Sequence, residues 1–269
     1  MITSHTNLPP PVIVLGMHRS GTSLLTEMLQ ACGLFIGRRY DHHFETPFFQ
    51  RLNLECLRAA GATWYQPEPF LQRRKSDPAF DGECLALLQR RLDSRFAMKY
   101  LGWRQATGIG AAPISAWGWK DPRTCLTADL WSRIFPEARL LHVVRHPLDV
   151  AISLERREVK RREEGHAPIP ENTDLEHNLR LWDVHVEACR QCEPGNAYFE
   201  IRYETLIADP ETELRRIAPF CRLEPAPEQL RAAAAIADGT RTRRFDDARY
   251  APWLARLAEM PLARELGYV

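Results

Sequence analysis

The sequence contains no apolar run long enough to cross a bilayer, which takes about 20 consecutive apolar residues in a helix. Its first eleven residues lack the basic start and apolar core of a secretory signal, and they end in Pro9-Pro10-Pro11, which is typical of an extended lead-in. It has no internal repeat and no low-complexity block. From these absences we expect no membrane span and a cytoplasmic location.

An excess of charge of either sign is also missing. The 36 Lys and Arg residues nearly balance the 35 Asp and Glu residues, and the net charge is +1 over 269 residues. Nucleic-acid binding proteins usually carry a strong basic excess, so this balance argues against a nucleic-acid partner. Any cationic site must therefore be local.

Cysteine does not form a disulfide pattern. The seven cysteines are odd in number and scattered, at positions 32, 56, 84, 125, 189, 192 and 221. This usage favours a reducing compartment. Cys189 and Cys192 form a single C-x-x-C without the second pair that zinc sites usually have, so no metal site is predicted.

A glycine-rich segment, Gly16–Ser23 (GMHRSGTS), lies between an apolar run and a helical pattern that ends near Gly33. Glycines five residues apart let successive backbone N–H groups point into one hollow. The following helix N-terminus adds a partial positive charge. The segment therefore predicts a site for a polyanion, usually phosphate. The alternative is a strand–turn–helix junction that uses glycine only for tight packing.

The lysine of a nucleotide-binding P-loop is absent from this segment. Thr22 stands at the lysine position, and the loop carries Arg19 instead. Nucleoside-triphosphate enzymes use that lysine on the β- and γ-phosphates, so its loss argues against ATP or GTP hydrolysis. Arg19 suits a shorter anion. A P-loop kinase and a non-catalytic nucleotide-binding module are the alternative functions.

Four apolar segments alternate with helical patterns, which predicts an α/β fold with a parallel sheet. The segments are Val12–Leu15, Trp117–Lys120, Ala138–Val144 and Ala197–Tyr203. Ligands bind at the C-terminal edge of such a sheet. We therefore expect the glycine segment, Lys120, Arg145 and Tyr203 to lie along one rim.

Arg145 ends the third strand, and Ser153 follows eight residues later on the next helix. A turn plus that helix places the hydroxyl about two turns from the strand end. The pair is therefore predicted to hold one anion between them. The alternative is that Ser153 is simply a solvated helix residue.

Residues 40–112 are predicted to form a mostly helical insertion over the sheet edge, where an acceptor site would fit. Their first loop carries His42, His43 and Glu45. Adjacent histidines tend to point apart, which disfavours a metal site. The loop is interpreted either as the carrier of a general base or as a solvated loop. Residues 165–173 form a second, proline-containing loop that is a candidate lid.

Several segments together resemble the sulfotransferases that use 3′-phosphoadenosine 5′-phosphosulfate (PAPS), especially the bacterial branch that acts on carbohydrates and small molecules. They follow the family order from about residue 12 to residue 244. The segments are Gly16–Ser23, similar to the 5′-phosphosulfate loop; Trp119–Arg123; Leu141–Pro147, continued to Ser153, similar to the 3′-phosphate motif; and Arg202–Glu204 with Leu206.

The resemblance implies a P-loop-type three-layer α/β/α fold in a single domain over residues 1–269. It implies sulfuryl transfer from PAPS to a hydroxyl or amine of a carbohydrate, lipid or other small molecule, without a metal. The product nucleotide is 3′-phosphoadenosine 5′-phosphate (PAP). The absent lysine is then explained, since no γ-phosphate or magnesium has to be held.

Residue roles follow from the same resemblance. Arg19, Lys120 and the loop N–H groups would stabilise charge on the leaving phosphate. Glu45 would be the general base, with His43 and Asp121 as alternatives. Asp121 is equally interpreted as a structural ion-pair partner. The predicted donor-binding residues are Gly16, His18, Arg19, Ser20, Gly21, Thr22, Ser23, Arg145, Ser153, Tyr203 (against the adenine), Arg243 and Arg244.

Overall fold

The computed structural model describes residues 8–102, 113–192, 197–237 and 248–269. Within them, the strands that form the sheet are β1 (Val12–Leu15), β2 (Gly118–Lys120), β3 (Arg139–Val144) and β4 (Ala197–Arg202). All three strand pairs are parallel, in the order β2-β1-β3-β4. The predicted parallel α/β sheet is confirmed, and each strand ends within one residue of its predicted bounds.

The central strands of the sheet, β1 and β3, are buried on both faces. Successive side chains of a strand point to opposite faces, so a strand that is apolar at every position needs cover on each side. In β1, Val12 and Val14 belong to one apolar cluster, whereas Ile13 and Leu15 belong to another. The fold therefore has three layers, with the sheet in the middle.

Helices form the two outer layers. In chain order, the α-helices within the described residues are α1 (Thr22–Ala31), α2 (Pro47–Ala59), α3 (Glu68–Ser76), α4 (Phe80–Phe96), α5 (Ala128–Ile134), α6 (Pro147–Glu163), α7 (Leu175–Arg190), α8 (Tyr203–Ala208), α9 (Pro210–Phe220), α10 (Pro227–Ala234), α11 (Ala251–Leu257) and α12 (Pro261–Glu265). Helices α1, α9 and α10 pack on the side of Val12 and Val14, and α2, α4, α6 and α7 on the other. No described helix is both long enough and apolar enough to span a membrane.

Helix α3 lies in a part of the predicted helical insertion, residues 61–81, whose sequence has little helical periodicity. It buries one side chain, Phe70, so the apolar stripe that would have predicted it is missing. Tertiary ion pairs hold it instead, since Arg74 binds Asp81 at 2.6 Å and also binds Asp129. Ion pairs to residues outside the helix, and not an apolar stripe, therefore stabilise α3.

The segment between β1 and β2 packs across one face of the sheet. Phe49 on α2 stacks on Trp119 of β2, with ring centroids 3.9 Å apart and planes 5° apart. Asn53, one turn further on, donates a hydrogen bond to Asp121 at 2.7 Å. The loop before α2 is therefore held beside the end of β2.

The strand order changes direction at β1, because β2 lies on one side of it and β3 and β4 lie on the other. The helices that follow β1 and β3 consequently diverge, and a crevice opens at the C-terminal ends of these strands. Ligands of parallel α/β proteins bind at such a point. Gly16 follows β1 and Arg145 follows β3, so both lie there.

Candidate active site

The loop after β1 adopts a tight, partly left-handed path. Gly16 has φ +148°, Arg19 has φ +72° and Gly21 has φ +98°. A Cβ on Gly16 would lie 2.7 Å from the carbonyl oxygen of Val143 on β3, so only glycine fits. Inside the loop, the Ser20 hydroxyl donates to the Met17 carbonyl oxygen at 2.6 Å.

Gly21 is required for a second reason. A Cβ there would lie 2.2 Å from Cδ2 of Tyr203, which follows β4. Tyr203 is buried, and the Arg145 guanidinium lies over its ring at 4.5 Å from the centroid. The loop, the end of β3 and the end of β4 are thus packed together through one aromatic ring.

Gly21→Ala is expected to destabilise the fold by about 1–3 kcal/mol, because it combines left-handed backbone strain with a clash against Tyr203. Gly33→Ala is the matched control, since Gly33 has φ +103° but a Cβ there meets nothing within 4 Å. Urea unfolding measures both variants. Equal losses of unfolding free energy in the two would refute the clash.

One cavity lies between the glycine loop, β3 and α6, and we call it the donor cavity. Its volume is about 500 Å³. Arg19 Nε donates to Ser153 Oγ at 2.9 Å, and Arg145 Nη1 donates to the Arg19 carbonyl oxygen at 3.3 Å. Its wall is formed by Arg19, Gly21, Thr22, Ser23, Leu24, Glu27, His42, His43, Phe44, Arg145, Ser153 and Tyr203.

The structure therefore brings together Arg145 and Ser153, as the sequence predicted, and adds Arg19 to them. Arg19, predicted to stabilise charge on the leaving phosphate, lines both cavities, and its guanidinium bonds to Ser153. Gly16 and Ser20 line neither cavity, and their contacts stabilise the conformation of the loop. Arg243 and Arg244 lie outside the described residues.

The second cavity, which we call the acceptor cavity, adjoins the first at Arg19, Thr22, Ser23 and His43. Its volume is about 310 Å³. The other residues of its wall are His18, Asp41, Glu45, Gln50, Trp64, Lys120, Pro122, Arg123, Arg157, Arg161 and Ile169. Two cavities that share one edge of the glycine loop suit two reactants that meet there.

Glu45 and Lys120 form a buried ion pair where the cavities meet. Lys120 is 1% exposed, and its Nζ lies 3.2 Å from Glu45 Oε1 and 3.3 Å from Ser23 Oγ. The other carboxylate oxygen of Glu45 accepts from Arg123 at 3.1 Å and from Gln50 at 3.0 Å. The carboxylate is thus oriented on both sides.

Burial shifts the pKa of three cavity residues. It lowers the pKa of Lys120 below 10.5, more than the neighbouring Glu45 carboxylate raises it. Burial and the adjacent His42 lower the pKa of His43, and burial and Arg123 lower the pKa of His18 well below 6.5. Both histidines are therefore neutral at neutral pH.

The lowered pKa of Lys120 predicts an alkaline limb in the pH profile of kcat/KM, which reports groups of the free enzyme. If protonated Lys120 is required, kcat/KM should fall with a midpoint below 10.5. Lys120→Arg should move this limb upward, since arginine stays protonated to pH 12 and beyond. An unchanged limb in that variant would assign it to another group.

Asp121 lies behind this site. It is fully buried, accepts from Asn53 at 2.7 Å, caps the following turn and is ion-paired with Arg123. It lines neither cavity, so the structure favours the ion-pair interpretation over a role as general base. Burial raises the pKa of its carboxyl despite Arg123.

Two cationic residues of the acceptor cavity, Arg157 and Arg161, were not singled out from the sequence. Arg157 and Arg161 lie four residues apart, which is the only signal that they share a face of α6. The candidate lid is tied to this helix, because Ile169 N–H donates to Glu158 Oε2 at 2.8 Å. Movement of that loop stays a prediction.

Glycine loop, parallel sheet and cationic crevice together define a P-loop-type α/β protein that binds an anionic nucleotide. Comparison with known families makes this specific. The model of the sulfotransferase family matches residues 10–228, and the chain belongs to that family. It is a sulfotransferase enzyme, as the sequence resemblance implied. Family membership favours sulfuryl transfer over the kinase and non-catalytic alternatives.

Solved structures of similar fold include sulfotransferases. The sulfotransferase domain of the Synechococcus PCC 7002 olefin synthase is 20% identical, with a TM-score of 0.50 over 92% of this chain and 93% of that one. A sulfotransferase from Alicyclobacillus acidocaldarius is 16% identical, with a TM-score of 0.46 over 94% and 95%. Retinol dehydratase, solved with androsterone and inactive cofactor PAP, is 15% identical, with a TM-score of 0.36 over 88% and 67%. No curated protein matches the sequence.

Proposed function

We propose that the protein transfers the sulfuryl group of PAPS to a hydroxyl or amine of a small-molecule or glycan acceptor and releases PAP. One observation carries this proposal: two cationic cavities meet at the glycine loop, with a buried carboxylate–lysine pair at the junction. The acceptor oxygen would form a bond to sulfur while the bond from sulfur to the 5′-phosphate oxygen breaks.

The donor cavity fits a nucleotide with two anionic ends. Arg145, Ser153 and Arg19 form a hydrogen-bonded group at one end, suited to the 3′-phosphate. The N–H groups of Gly21 and Thr22 begin α1 at the other end, suited to the 5′-phosphosulfate. Tyr203 lies in the wall between them and would contact the adenine.

Glu45 is proposed as the general base, and Lys120 as the cation that stabilises charge on the leaving oxygen. The acceptor's proton would pass to the Glu45 carboxylate. Protonation would weaken the pair with Lys120, whose charge would then act on the transferred group. His43, which borders both cavities and is neutral, is the alternative base.

The described part of the insertion 40–112 supplies much of the acceptor cavity, namely Asp41, His43, Glu45, Gln50 and Trp64. We propose that this segment selects the acceptor within a single catalytic domain. A cytoplasmic, reducing location is proposed from the scattered cysteines, all of which are free thiols.

Calorimetric titration with PAP, compared with ATP and magnesium, tests the donor. PAP should bind, and Arg145→Ala should weaken it by about ten-fold or more, because a charge-assisted contact is lost. Arg156→Ala, which removes an exposed arginine of α6, is the control and should bind PAP normally. Preference for ATP with magnesium would overturn the donor assignment.

A further inference from the structure

We propose that the acceptor is a small polar hydroxyl compound that carries a carboxylate, sulfate or phosphate group, which Arg157 and Arg161 of α6 bind. This inference rests on the proposed function, because it concerns the reactant that meets PAPS. It adds the chemical class of that reactant.

The wall of the acceptor cavity carries five cationic side chains and two carboxylates. Lys120 and Arg123 are already paired with Glu45. Arg157 and Arg161 add two guanidinium groups on the side of the cavity formed by α6. Cations collected in a concave wall attract an anionic partner and raise its rate of association. A neutral acceptor would provide no anionic partner for the N–H groups of these two arginines that face the cavity.

The two arginines are held in place by a buried carboxylate. Glu158 is 0% exposed, accepts from Arg157 Nη2 at 2.6 Å and lies 3.5 Å from Arg161 Nε. It also accepts from the Ile169 backbone N–H at 2.8 Å, and Arg161 Nη2 donates to the Ala167 carbonyl oxygen at 2.8 Å. The loop and the two guanidinium groups form one preorganised unit.

Each guanidinium keeps donors for a ligand. The printed bonds of Arg157 and Arg161 use Nε and Nη2, and Nη1 of each makes no hydrogen bond within the described residues. Arg157 is further positioned by Trp64, whose ring lies 5.0 Å from the guanidinium carbon. The remaining N–H groups of a guanidinium positioned in this way have the geometry to donate hydrogen bonds to an oxyanion.

Two other residues of the wall each have a buried polar atom without a hydrogen bond within the described residues. These atoms are Nε2 of His18 and Nε of Arg123. Such groups are rare in folded proteins, and both residues line the acceptor cavity. His18 also packs on Trp64, at 4.0 Å between ring centroids, so Trp64 positions both His18 and Arg157.

Few apolar surfaces face this space. Trp64, Pro122 and Ile169 are the apolar side chains of the wall, and Trp64 is 8% exposed with His18 and Arg157 against it. Apolar ligands are bound chiefly by apolar walls. A bulky hydrophobic acceptor would instead desolvate the arginines without pairing them, at a large cost.

The test uses protein loaded with PAP, so that the donor cavity is filled. Methyl β-D-glucuronide and methyl β-D-glucoside are titrated in parallel; they share a sugar ring and differ only at C6, which is a carboxylate in the first and a hydroxymethyl group in the second. We expect the glucuronide to bind at least about ten-fold more tightly, as one charge-assisted contact would provide. Arg157→Gln and Arg161→Gln should each remove most of this preference.

Arg162→Gln is the matched control, because Arg162 is exposed on the same helix and lines neither cavity. Equal affinity for the two glycosides, or a preference that survives in both Arg157→Gln and Arg161→Gln, overturns the inference. Failure of the unmodified protein to bind PAP would instead refute the proposed donor. Normal PAP binding by each variant shows that it is folded.

Discussion

Replacing Glu45 by glutamine is expected to lower kcat by about 10²–10⁴, the usual contribution of a general base. The amide retains the shape of the side chain and can still accept hydrogen bonds, but it cannot take the acceptor's proton. PAP affinity should change little, because Glu45 lines the acceptor cavity and not the donor cavity. Steady-state kinetics and calorimetry measure the two quantities.

Glu55→Gln is the control for this variant, since Glu55 is ion-paired with Arg91 in the same insertion and lies outside both cavities. It should retain full kcat. His43→Asn separates the alternative base. A large loss of kcat in His43→Asn with a small one in Glu45→Gln would move the role to His43. A loss of PAP binding in Glu45→Gln would give Glu45 a structural role.

Lys120→Met is expected to lower kcat by about 10²–10³, as the removal of one preorganised transition-state donor does. Methionine keeps the length of the buried chain without its charge. The effect should be largest on kcat, because Lys120 is positioned by Glu45 and Ser23 where the two cavities meet. Lys120→Arg should retain part of the activity, since the charge remains but its shape changes.

Folding needs a separate check for Lys120→Met, because the variant leaves Glu45 with one cation instead of two. Arg123 still pairs with it, so PAP binding and the unfolding midpoint should remain close to those of the unmodified protein. Lys75→Met removes an exposed lysine of α3 as control. Full activity in Lys120→Met would exclude this lysine from the transfer step.

The sequence predicted the sheet well because β1 is apolar at every position and β3 is mostly apolar, as buried parallel strands are. It also predicted the glycine loop, because Gly16 and Gly21 have backbone angles and close contacts that only glycine tolerates. Helix α3 escaped prediction because its stability comes from ion pairs to Asp81 and Asp129 and not from an apolar stripe.

The candidate site was predictable only where it follows strand ends. Lys120, Arg145 and Tyr203 come directly at or after strands, and parallel pairing alone brings them to one edge. Glu45 and Lys120 are 75 residues apart, and their pairing depends on the packing of α2 against β2. Arg157 and Arg161 read as part of a solvated, charged helix until α6 is placed against the loop at 165–173.

The amino-acid sequence by itself determined the parallel sheet, the glycine loop and the family, because these depend on local periodicity, backbone conformation and a motif order along the chain. Tertiary structure alone decided which charged side chains contact one another. Arg19 donates a hydrogen bond to Ser153, and the buried Asp121 is ion-paired with Arg123. Arg157 and Arg161 line the acceptor cavity. Charge pairing depends on distances of a few ångströms between residues far apart in sequence, and only packing sets those distances.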